Sequence, residues 1–443
     1  MSFVVQLLKR AVILSLVSLV IMIFLTTDRT SAGAAELEIL KLEGTIVPAV
    51  ANYIDRGIRQ AEIKGSTACI IELNTPGGLL DSTEKIVTRI LNAKVPVIVY
   101  ISPRGSWAAS AGTFITLAAH IAAMTPGTSI GAAHPVTIGQ EMTEEMKKKA
   151  TEFSSAWIRS VAQLRGRNPE EAELAVTESK SFTPSEALEA GLIDFVAEDL
   201  ESLIKQINGR KVTLATGEEK TLDTTTYNLH INQMNAIEHF LHIISDPNIA
   251  YILLSLATIG LITEISNPGM IFPGVFGGIS LLLAFYSLGV LNANWAGILL
   301  ILLAFGLFVA EIFTTAFGIL TAGGLVSMVI GSLILFSGTS PQMQVNRGLI
   351  AAVTIAIGAF VVFVIGAIIR GQKRRVVTGS EALVGKTAVA KTYLEPKGTV
   401  LVDGELWTAI IDEGKAEPGE EVTITKVEGL KLIVTKKTRR RKK

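Results

Sequence analysis

Cysteine is almost absent from this sequence. The 443 residues contain one cysteine, Cys69, and five histidines, which excludes an intrachain disulfide and any zinc site built on several cysteines. Cys69 lies in the apolar run ACIIEL, where a thiol within a strand is usually buried and unreactive. A cysteine nucleophile is therefore disfavoured, and the sequence predicts no metal and no other cofactor.

The chain also lacks net charge, because 40 basic residues balance 40 acidic ones. This balance gives no bulk electrostatic reason to expect a nucleic-acid partner. The basic residues form clusters in LLKR, RGQKRR and KKTRRRKK. Apolar residues reach 49% and collect in long runs, which is typical of an integral membrane protein.

The N-terminus has the composition of an export signal. Lys9 and Arg10 precede a long apolar stretch, and the small residues SAGAA follow it. This pattern predicts a signal peptide over residues 1–35, cleaved near Ala34 or Ala35. An uncleaved anchor is the alternative, because the apolar run is long, and either segment would export the domain that follows.

Residues 36–208 alternate strand-like runs with helix-like stretches. The strand-like runs are LEILKLEGTIV, ACIIELN, VPVIVYIS and HIAAMT. The helix-like stretches are Ala49–Lys64, Asp81–Asn92, Ala111–His120 and about Glu141–Arg165. The alternation predicts an α/β domain with a largely parallel sheet. Residues 209–247 predict a polar hairpin and an amphipathic helix, Met234–Ser245, at the membrane surface.

Residues 248–370 contain five apolar runs, each near the roughly 20 residues that a spanning helix needs. They are Ile249–Ser266, Ile271–Leu291, Trp295–Phe317, Ile319–Phe336 and Leu349–Ile369. Four spans with a re-entrant segment are the alternative. Five spans after an exported domain place the C-terminus in the cytoplasm, and the basic cluster Arg370–Arg375 agrees with the positive-inside rule. Because the spans offer no basic partner, we expect Glu264 and Glu311 to serve helix packing.

Residues 380–436 predict a small all-β barrel. Short alternating strands are separated by Gly and Pro turns at regular intervals, which favours a five-stranded barrel of the OB type. The acidic stretches DGEL and DEGKAEPGEE argue against a nucleic-acid surface and favour a protein-binding module. Residues 437–443 form a basic tail.

Two short motifs carry the candidate chemistry, IELNTPGGLLD and AASAGT. Each is expected to follow a strand of the same sheet, so both should lie at the same strand ends. Ser110 begins a helix whose dipole favours negative charge at its oxygen, although a simple helix cap is the alternative. The N–H groups of Gly78 and Ala111 are expected to form one oxyanion hole over Ser110.

The base that would activate Ser110 is less clear from the residues. His134, in GAAHPV, is the only candidate for a histidine-based triad. A lysine also acts as a base where desolvation favours its neutral form. In the run KKK, Lys149 shares a helical face with Phe153, Ala156 and Trp157, which is expected to face the domain. A solvated charge run is the alternative.

At this point the motifs resemble a known family. NTPGG, AASAGT, MTPGTSIGAAHPV and the helix ending AQLRGRNPEEAE closely resemble the membrane-bound, long-form NfeD proteins. The resemblance covers essentially the whole mature chain and implies a multidomain membrane protein. Its parts would be an α/β Clp protease/crotonase-like domain, an α-helical transmembrane bundle and a C-terminal OB barrel.

The resemblance implies a serine endopeptidase with a Ser–Lys dyad, in which Ser110 is the nucleophile and Lys149 the general base. Gly78 and Ala111 would supply the oxyanion amides. Because three lysines are consecutive, the register of the base stays open among Lys147, Lys148 and Lys149.

A stomatin-like membrane protein is the implied partner, its hydrophobic C-terminal region the implied substrate, and a homodimer or higher homo-oligomer the expected assembly. Gly77, Leu79 and Leu80 are expected to contact an extended substrate strand. The protein would lie in the cell membrane, with the protease domain outside the cytoplasm and the barrel inside.

Two other functions are compatible with these features. One is a non-catalytic membrane scaffold that organises stomatin-like oligomers. The other is a crotonase-type acyl-CoA enzyme, which is disfavoured because export removes the domain from the CoA pool and because such an enzyme needs no Ser–Lys pair.

Overall fold

The computed structural model describes residues 34–135, 143–267, 269–291, 293–314, 318–336, 344–372 and 380–436. Residues 1–33 of the predicted signal peptide, residues 373–375 of the basic cluster and the basic tail lie outside this description.

The described residues before the apolar helices contain eleven strands. They are β1 (Ala35–Glu43), β2 (Ala68–Asn74), β3 (Val97–Ile101), β4 (Trp107–Ala109), β5 (Ile121–Met124), β6 (Ser129–Gly131), β7 (Ser181–Phe182), β8 (Phe195–Val196), β9 (Lys211–Thr213), β10 (Glu219–Thr221) and β11 (Tyr227–Asn232). Six of them form a parallel sheet in the order β11-β1-β2-β3-β5-β8. The predicted parallel α/β architecture is confirmed.

Eight helices accompany these strands. They are α1 (Pro48–Lys64), α2 (Leu80–Leu91), α3 (Ala111–Ala118), α4 (Glu144–Leu164), α5 (Pro169–Thr177), α6 (Pro184–Glu189), α7 (Leu200–Ile207) and α8 (Ala236–Ile244). The first four begin and end within about three residues of the predicted bounds. Local capping explains several boundaries: Thr183 forms a capping box with Glu186 at the start of α6, which satisfies amides that the first turn leaves unpaired.

The central strands β2, β3 and β5 are buried on both faces, so they are almost entirely apolar. Alternate residues of β2 enter two separate cores. Cys69, Ile71 and Leu73 pack in the core shared with α1, α2, α3 and α4, whereas Ala68 and Ile70 pack in the core shared with α7. This layering holds the ends of β2 and β3 at one edge of the domain.

The edge strand β11 was not predicted. It lies in the segment 209–247 that the sequence assigned to a hairpin and a linker, and it pairs in parallel with β1. Its residues YNLHIN mix polar and apolar types and are mostly exposed, so its hydrophobic pattern is weak. The preceding hairpin, β9 with β10, forms as predicted.

Five apolar helices follow. They are α9 (Pro247–Ser266), α10 (Ile271–Val290), α11 (Trp295–Phe313), α12 (Ile319–Ile334) and α13 (Arg347–Gln372). Within the described ranges, four of them are long and apolar enough to cross a membrane, and α12 is shorter. All five predicted apolar runs therefore form helices, although only four meet the length of a spanning helix.

The short helix α12 pairs with α11 at both ends. At one end the N–H of Asn294 donates to the carbonyl of Leu335 at 2.8 Å. At the other end the buried carboxylate of Glu311 accepts the N–H groups of Gly318 at 2.8 Å and Thr321 at 2.9 Å. The two helices thus form an antiparallel hairpin that is closed by hydrogen bonds at both ends.

The C-terminal strands form a closed barrel in the order β12-β13-β14-β16-β15. They are β12 (Thr387–Ala390), β13 (Lys397–Val402), β14 (Glu405–Ile411), β15 (Glu421–Glu428) and β16 (Lys431–Lys436). Their alternating buried residues fill a core of their own, which confirms the predicted five-stranded OB-type barrel.

Candidate active site

Ser110 lies in a strained turn between β4 and α3. Its backbone has φ 52° and ψ −111°, a positive φ that residues other than glycine rarely adopt. Such a conformation costs about 1–3 kcal/mol and persists only where the surrounding structure enforces it. The side chain makes no capping hydrogen bond to α3. The helix-cap alternative therefore does not describe Ser110.

The strand that precedes Ser110 differs from the prediction. Ser110 was expected to follow a strand of the main sheet, but it follows β4, which belongs to a small sheet with β6 and β7. The loop after β2 extends to this small sheet, because Thr75 donates to the carbonyl of Trp107 at 2.8 Å and Ala109 donates to that of Thr75 at 3.1 Å. These main-chain bonds bring the two motifs together.

Gly77 lies directly against the side chain of Ser110. A Cβ added at Gly77 would stand 2.9 Å from Cβ and 3.3 Å from Oγ of Ser110, and φ at Gly77 is +125°. Both contact and conformation therefore require glycine here. Gly112, one residue into α3, is equally constrained, since an added Cβ would lie 2.7 Å from Thr75. Small residues around Ser110 thus serve close packing as well as access.

The amide of Gly78 points toward the β4 side of its loop. Gly78 forms a parallel bridge with Ile46, in which Ile46 donates to Gly77 O at 2.9 Å and accepts from Leu79 N at 2.9 Å. In such a bridge the central residue directs its own N–H away from the partner strand. The N–H of Ala111, at the first position of α3, has no acceptor within its helix.

Thr113 holds the turn at Ser110, and the sequence did not single it out. Its buried hydroxyl lies 3.0 Å from Ala108 O and 2.9 Å from Gly131 O, and it accepts the N–H of Gly131 at 3.1 Å. Ser110 N donates to the same Gly131 carbonyl at 3.0 Å. A threonine in the first turn of a helix is too common a pattern to reveal this role from sequence.

Two arginines cap the opposite end of α3. Arg165 donates to Ala118 O at 2.7 Å, and Arg167 donates to Leu117 O at 3.3 Å and Ala119 O at 3.2 Å. Cations at this end are favoured by the helix dipole. Burial, together with the charge of Arg165, lowers the pKa of His120 to about 3. His120 is therefore neutral and remote from acid–base work on Ser110.

Two other side chains considered from the sequence, Cys69 and His134, have environments that do not favour a reactive role. Burial raises the pKa of the Cys69 thiol, which keeps it protonated and inert, as predicted. The Nδ1 of His134 lies 2.9 Å from Val176 O, so this ring nitrogen is engaged with main chain.

Lys149 is exposed in the single chain, together with the first residues of α4. Two residues of the helical face that was expected to turn Lys149 toward the domain are exposed instead: Phe153 is 58% exposed and Ala156 is exposed. The buried face of α4 instead carries Ser154, Ser155, Ile158, Val161 and Ala162. The predicted apolar stripe was therefore wrong, because the first half of α4 projects beyond the layers that bury its second half.

Helices α3 and α4 nevertheless run in the same direction. Trp157 stacks on Phe114 with ring centroids 4.4 Å apart, and Arg165 at the end of α4 reaches Ala118 at the end of α3. The N-terminal part of α4, which carries the three lysines, is consequently at the same end as Ser110.

Leu79 cannot pair with a substrate through its main chain. Its N–H donates to Ile46, and its carbonyl accepts the N–H of Thr83 at 3.0 Å. Leu80 already belongs to α2 and is exposed. A substrate at this edge would therefore meet apolar side chains here, not a free strand.

The fold defines a membrane-integrated protein with a parallel α/β domain, apolar helices long enough to cross a membrane and an OB-like barrel. Three family models match successive parts of the chain: the NfeD1b N-terminal domain at residues 36–216, the NfeD integral membrane domain at 248–367 and the NfeD-like C-terminal, partner-binding domain at 380–436. The chain belongs to the NfeD family.

Relatives match it over almost their whole length. The membrane-bound protease PH1510 of Pyrococcus horikoshii is 38% identical over 95% of this chain and 97% of its own. Membrane protein NfeD1b of Bacillus subtilis is 26% identical over 89% and 92%. The structure of the 1510-N membrane protease specific for a stomatin homolog, from Pyrococcus horikoshii, is 37% identical over 48% of this chain and all of its own, with a TM-score of 0.43.

Proposed function

We propose that this protein is a membrane-anchored serine endopeptidase with Ser110 as its nucleophile. The observation that carries the proposal is the strained turn at Ser110, which leaves its hydroxyl uncapped and against Gly77. Strain of this kind concentrates at functional sites. The 38% identity to a protein named as a membrane-bound protease supports the same activity.

In the proposed reaction, a neutral lysine accepts the proton of Ser110 as Oγ attacks a peptide carbonyl. The N–H groups of Gly78 and Ala111 stabilise the oxyanion, which is worth about 100- to 1,000-fold in rate for each donor. The protonated lysine then gives its proton to the leaving amine, and water hydrolyses the acyl-enzyme. No metal or cofactor takes part in this proposal.

Lys149 is the base that we favour among the three lysines. It precedes Trp157 by eight residues, and Ser110 precedes Phe114 by four, so the two differ by roughly 6 Å along parallel helix axes. Measured along the axes alone, Lys149 therefore lies within about one helical turn of Ser110. Lys147 forms an ion pair with Glu144 at 2.9 Å, which favours its charged form.

A second copy of the chain would complete the site. Lys149 is exposed in the single chain, whereas a lysine acts as a base only where water is excluded. Met146 is 57% exposed beside it on α4, and Phe153 is 58% exposed. Burying these side chains in a homo-oligomer would also desolvate the amine.

The substrate that we propose is a hydrophobic segment of a membrane-associated, stomatin-like protein. A solved relative is named as specific for a stomatin homolog, and residues 380–436 match a partner-binding domain. The exposed side chain of Leu80 offers an apolar contact beside the nucleophile, and Gly77 and Leu79 complete that edge.

We also propose five membrane crossings, with the protease domain outside the cytoplasm and the barrel inside. Hydrogen bonds close the hairpin of α11 and α12 at both ends, which supports counting α12 as a crossing although it is short. The basic cluster that begins at Arg370 fits the cytoplasmic side. An export signal over residues 1–35 would start this topology.

The test uses the full chain in nanodiscs with a serine-reactive fluorophosphonate and a fluorogenic apolar peptide. Ser110→Ala and Lys149→Ala should each lower cleavage about 1,000-fold or more, whereas Lys147→Ala, Lys148→Ala and His134→Ala should cleave nearly as well as the parent. Ser106→Ala is the matched control, because Ser106 directly precedes β4, whereas Ser110 follows it, and Ser106 is also buried. Probe labelling that survives Ser110→Ala would reject this nucleophile.

A non-catalytic scaffold for stomatin-like oligomers is the second candidate. The exposure of Lys149 in the single chain favours it, since no base then activates Ser110. Absence of both labelling and cleavage at every protein concentration that permits self-association would select the scaffold.

A further inference from the structure

Helix α8 presents an apolar face that the chain leaves uncovered. Ile237 is 71% exposed, Phe240 48% and Ile243 43%. Glu238, on the other side of the helix, is buried, and Ile244 is buried at its C-terminal end. Three large apolar side chains on the outside of a nine-residue helix require an apolar partner.

The position of α8 in the chain identifies that partner as lipid. It ends at Ile244, and the first candidate span, α9, begins at Pro247, so three residue steps of at most about 11 Å separate them. Leu241 of α8 and Val290, at the end of α10, pack against the same protease-domain core. An amphipathic helix at this level lies where headgroups meet acyl chains.

The half-buried Arg56 ties α8 to the protease domain. Arg56 of α1 donates from Nε and Nη2 to the two carboxylate oxygens of Glu238, each at 2.8 Å. It also donates to Gln233 O at 2.8 Å and to Asn232 Oδ1 at 2.9 Å. Paired, charge-assisted bonds of this kind are strong and directional, so α8 is fixed to the domain.

The far end of α8 supports the loop beside Ser110. A Cβ added at Gly44 would lie 3.6 Å from Nε2 of His242, so the ring packs on this glycine. Gly44 N donates to Asn74 O at 3.0 Å, and Ile46 N donates to Gly77 O at 2.9 Å. The segment from Gly44 to Ile46, which packs on α8, is therefore also hydrogen-bonded to the loop that contains Gly77.

We propose that α8 lies in the membrane–water interface, with Ile237, Phe240 and Ile243 in lipid, and holds the Ser110 edge of the domain at the bilayer surface. Residues 234–246 contain no lysine or arginine, so the contact needs no anionic lipid. If the proposed peptidase activity is correct, its preferred substrates are extended segments that emerge at this surface. The lipid contact itself does not depend on that activity.

The test places a nitroxide on α8 of the full chain in phosphatidylcholine nanodiscs. Cys69, the only cysteine in the sequence, is buried, so Phe240→Cys and Ile243→Cys are each labelled uniquely. Ile63→Cys is the control, because Ile63 is 78% exposed at the end of α1 away from Gly44. Labels at 240 and 243 should show high oxygen and low nickel-complex accessibility, at a depth of about 5–10 Å, and the label at 63 should show the reverse.

Two outcomes would overturn the proposal. One is nickel accessibility at 240 and 243 equal to that at 63. The other is loss of access to both reagents with spin–spin broadening, which would mean that a second copy covers the helix. As a functional arm, Phe240→Glu should reduce cleavage of a bilayer-anchored peptide several-fold and spare the same peptide free in solution. If the parent cleaves neither, the peptidase proposal fails while the accessibility result still decides the lipid contact.

Discussion

At the scale of single residues, Gly77 and Ser110 share a space that one methyl group would fill. A Cβ at Gly77 would stand 3.3 Å from the serine oxygen, so hydroxyl and loop cannot both keep their positions if it is added. The same glycine adopts a backbone conformation that side chains oppose. The local backbone, rather than a side-chain hydrogen bond, therefore sets where the hydroxyl stands.

Gly77→Ala should reduce kcat/KM for peptide cleavage about 100-fold, because a displacement of about 1 Å at the reacting atoms has an effect of that size. Gly105→Ala is the matched control. Gly105 also has a positive φ, of +87°, but an added Cβ meets no described atom within 4 Å. Gly105→Ala should lose about 1–2 kcal/mol of stability from its backbone conformation, Gly77→Ala should lose at least as much because of the added contact, and only Gly77→Ala should lose activity. Equal activity in the two variants would contradict the steric argument.

His120 makes the stability of the domain depend on pH. Its folded pKa of about 3 lies below an unfolded value of about 6.5. The stability contributed by its neutral ring is therefore complete above pH 6.5 and is lost as the pH falls toward 3. The free energy of unfolding should fall as the pH falls across this window, by at most about 1.4 kcal/mol per pH unit. His120→Asn, which keeps an acceptor for Val97 N–H, should flatten this slope, whereas His239→Asn at an exposed site should leave it unchanged.

At the scale of elements, Glu311 is a helix cap between α11 and α12. Its carboxylate receives two main-chain amides at the start of α12, where negative charge is favoured. This gives a structural reason for the packing role expected from sequence. The N–H of Asn294 bonds to the carbonyl of Leu335 at the opposite end of the hairpin. The Glu311 carboxylate therefore stabilises only one of the two ends at which α11 and α12 are joined.

Glu311→Gln leaves one acceptor oxygen for two donors, and it should destabilise the bundle by about 1.5–3 kcal/mol. Unfolding in a detergent titration measures this loss. Thr314→Val is the control, because it removes an exposed hydroxyl bond to Ala310 O near the same helix end and should cost much less. Cleavage per folded molecule should be unchanged in both, and its selective loss in Glu311→Gln would assign the carboxylate a functional role.

At the scale of the whole molecule, the number of crossings decides which compartment the barrel occupies. Four crossings would return it to the side of the protease domain, and five would separate the two. Ile63→Cys and Leu430→Cys test this directly, because both residues are exposed and Cys69 is buried. An impermeant maleimide should label Ile63→Cys in intact spheroplasts and Leu430→Cys only after permeabilisation. Labelling of both without permeabilisation would establish an even number.

Hydrophobic pattern determined how much of this architecture was predictable. The run ACIIELN matches β2 residue for residue, and the apolar runs after residue 248 became helices, because long continuous apolar runs are a strong signal. Strand β11 was missed because its residues are mostly exposed. The burial of α4 was misjudged because its helical period indicates an apolar face, but not how far the helix extends past its neighbours.

The candidate site was predictable only in part. Glycines beside a serine marked the two motifs, and main-chain pairing between Thr75 and β4 brings them together. The three-residue strand β4 and the hydroxyl of Thr113 carry no distinctive sequence pattern, because their roles depend on partners distant in the chain. The exposure of Lys149 was not predicted, because the helical period does not show how far α4 extends past its neighbours.

The strained backbone at Ser110 favours replacement of this serine by glycine once cleavage is no longer selected. Glycine would adopt φ 52° without the cost that serine bears, so a lineage freed from selection for cleavage gains stability when it loses the hydroxyl. Retention of serine at this turn is then a sign of continued use. If Ser110 is the nucleophile, as proposed, glycine at position 110 would identify descendants of this chain that no longer cleave peptides.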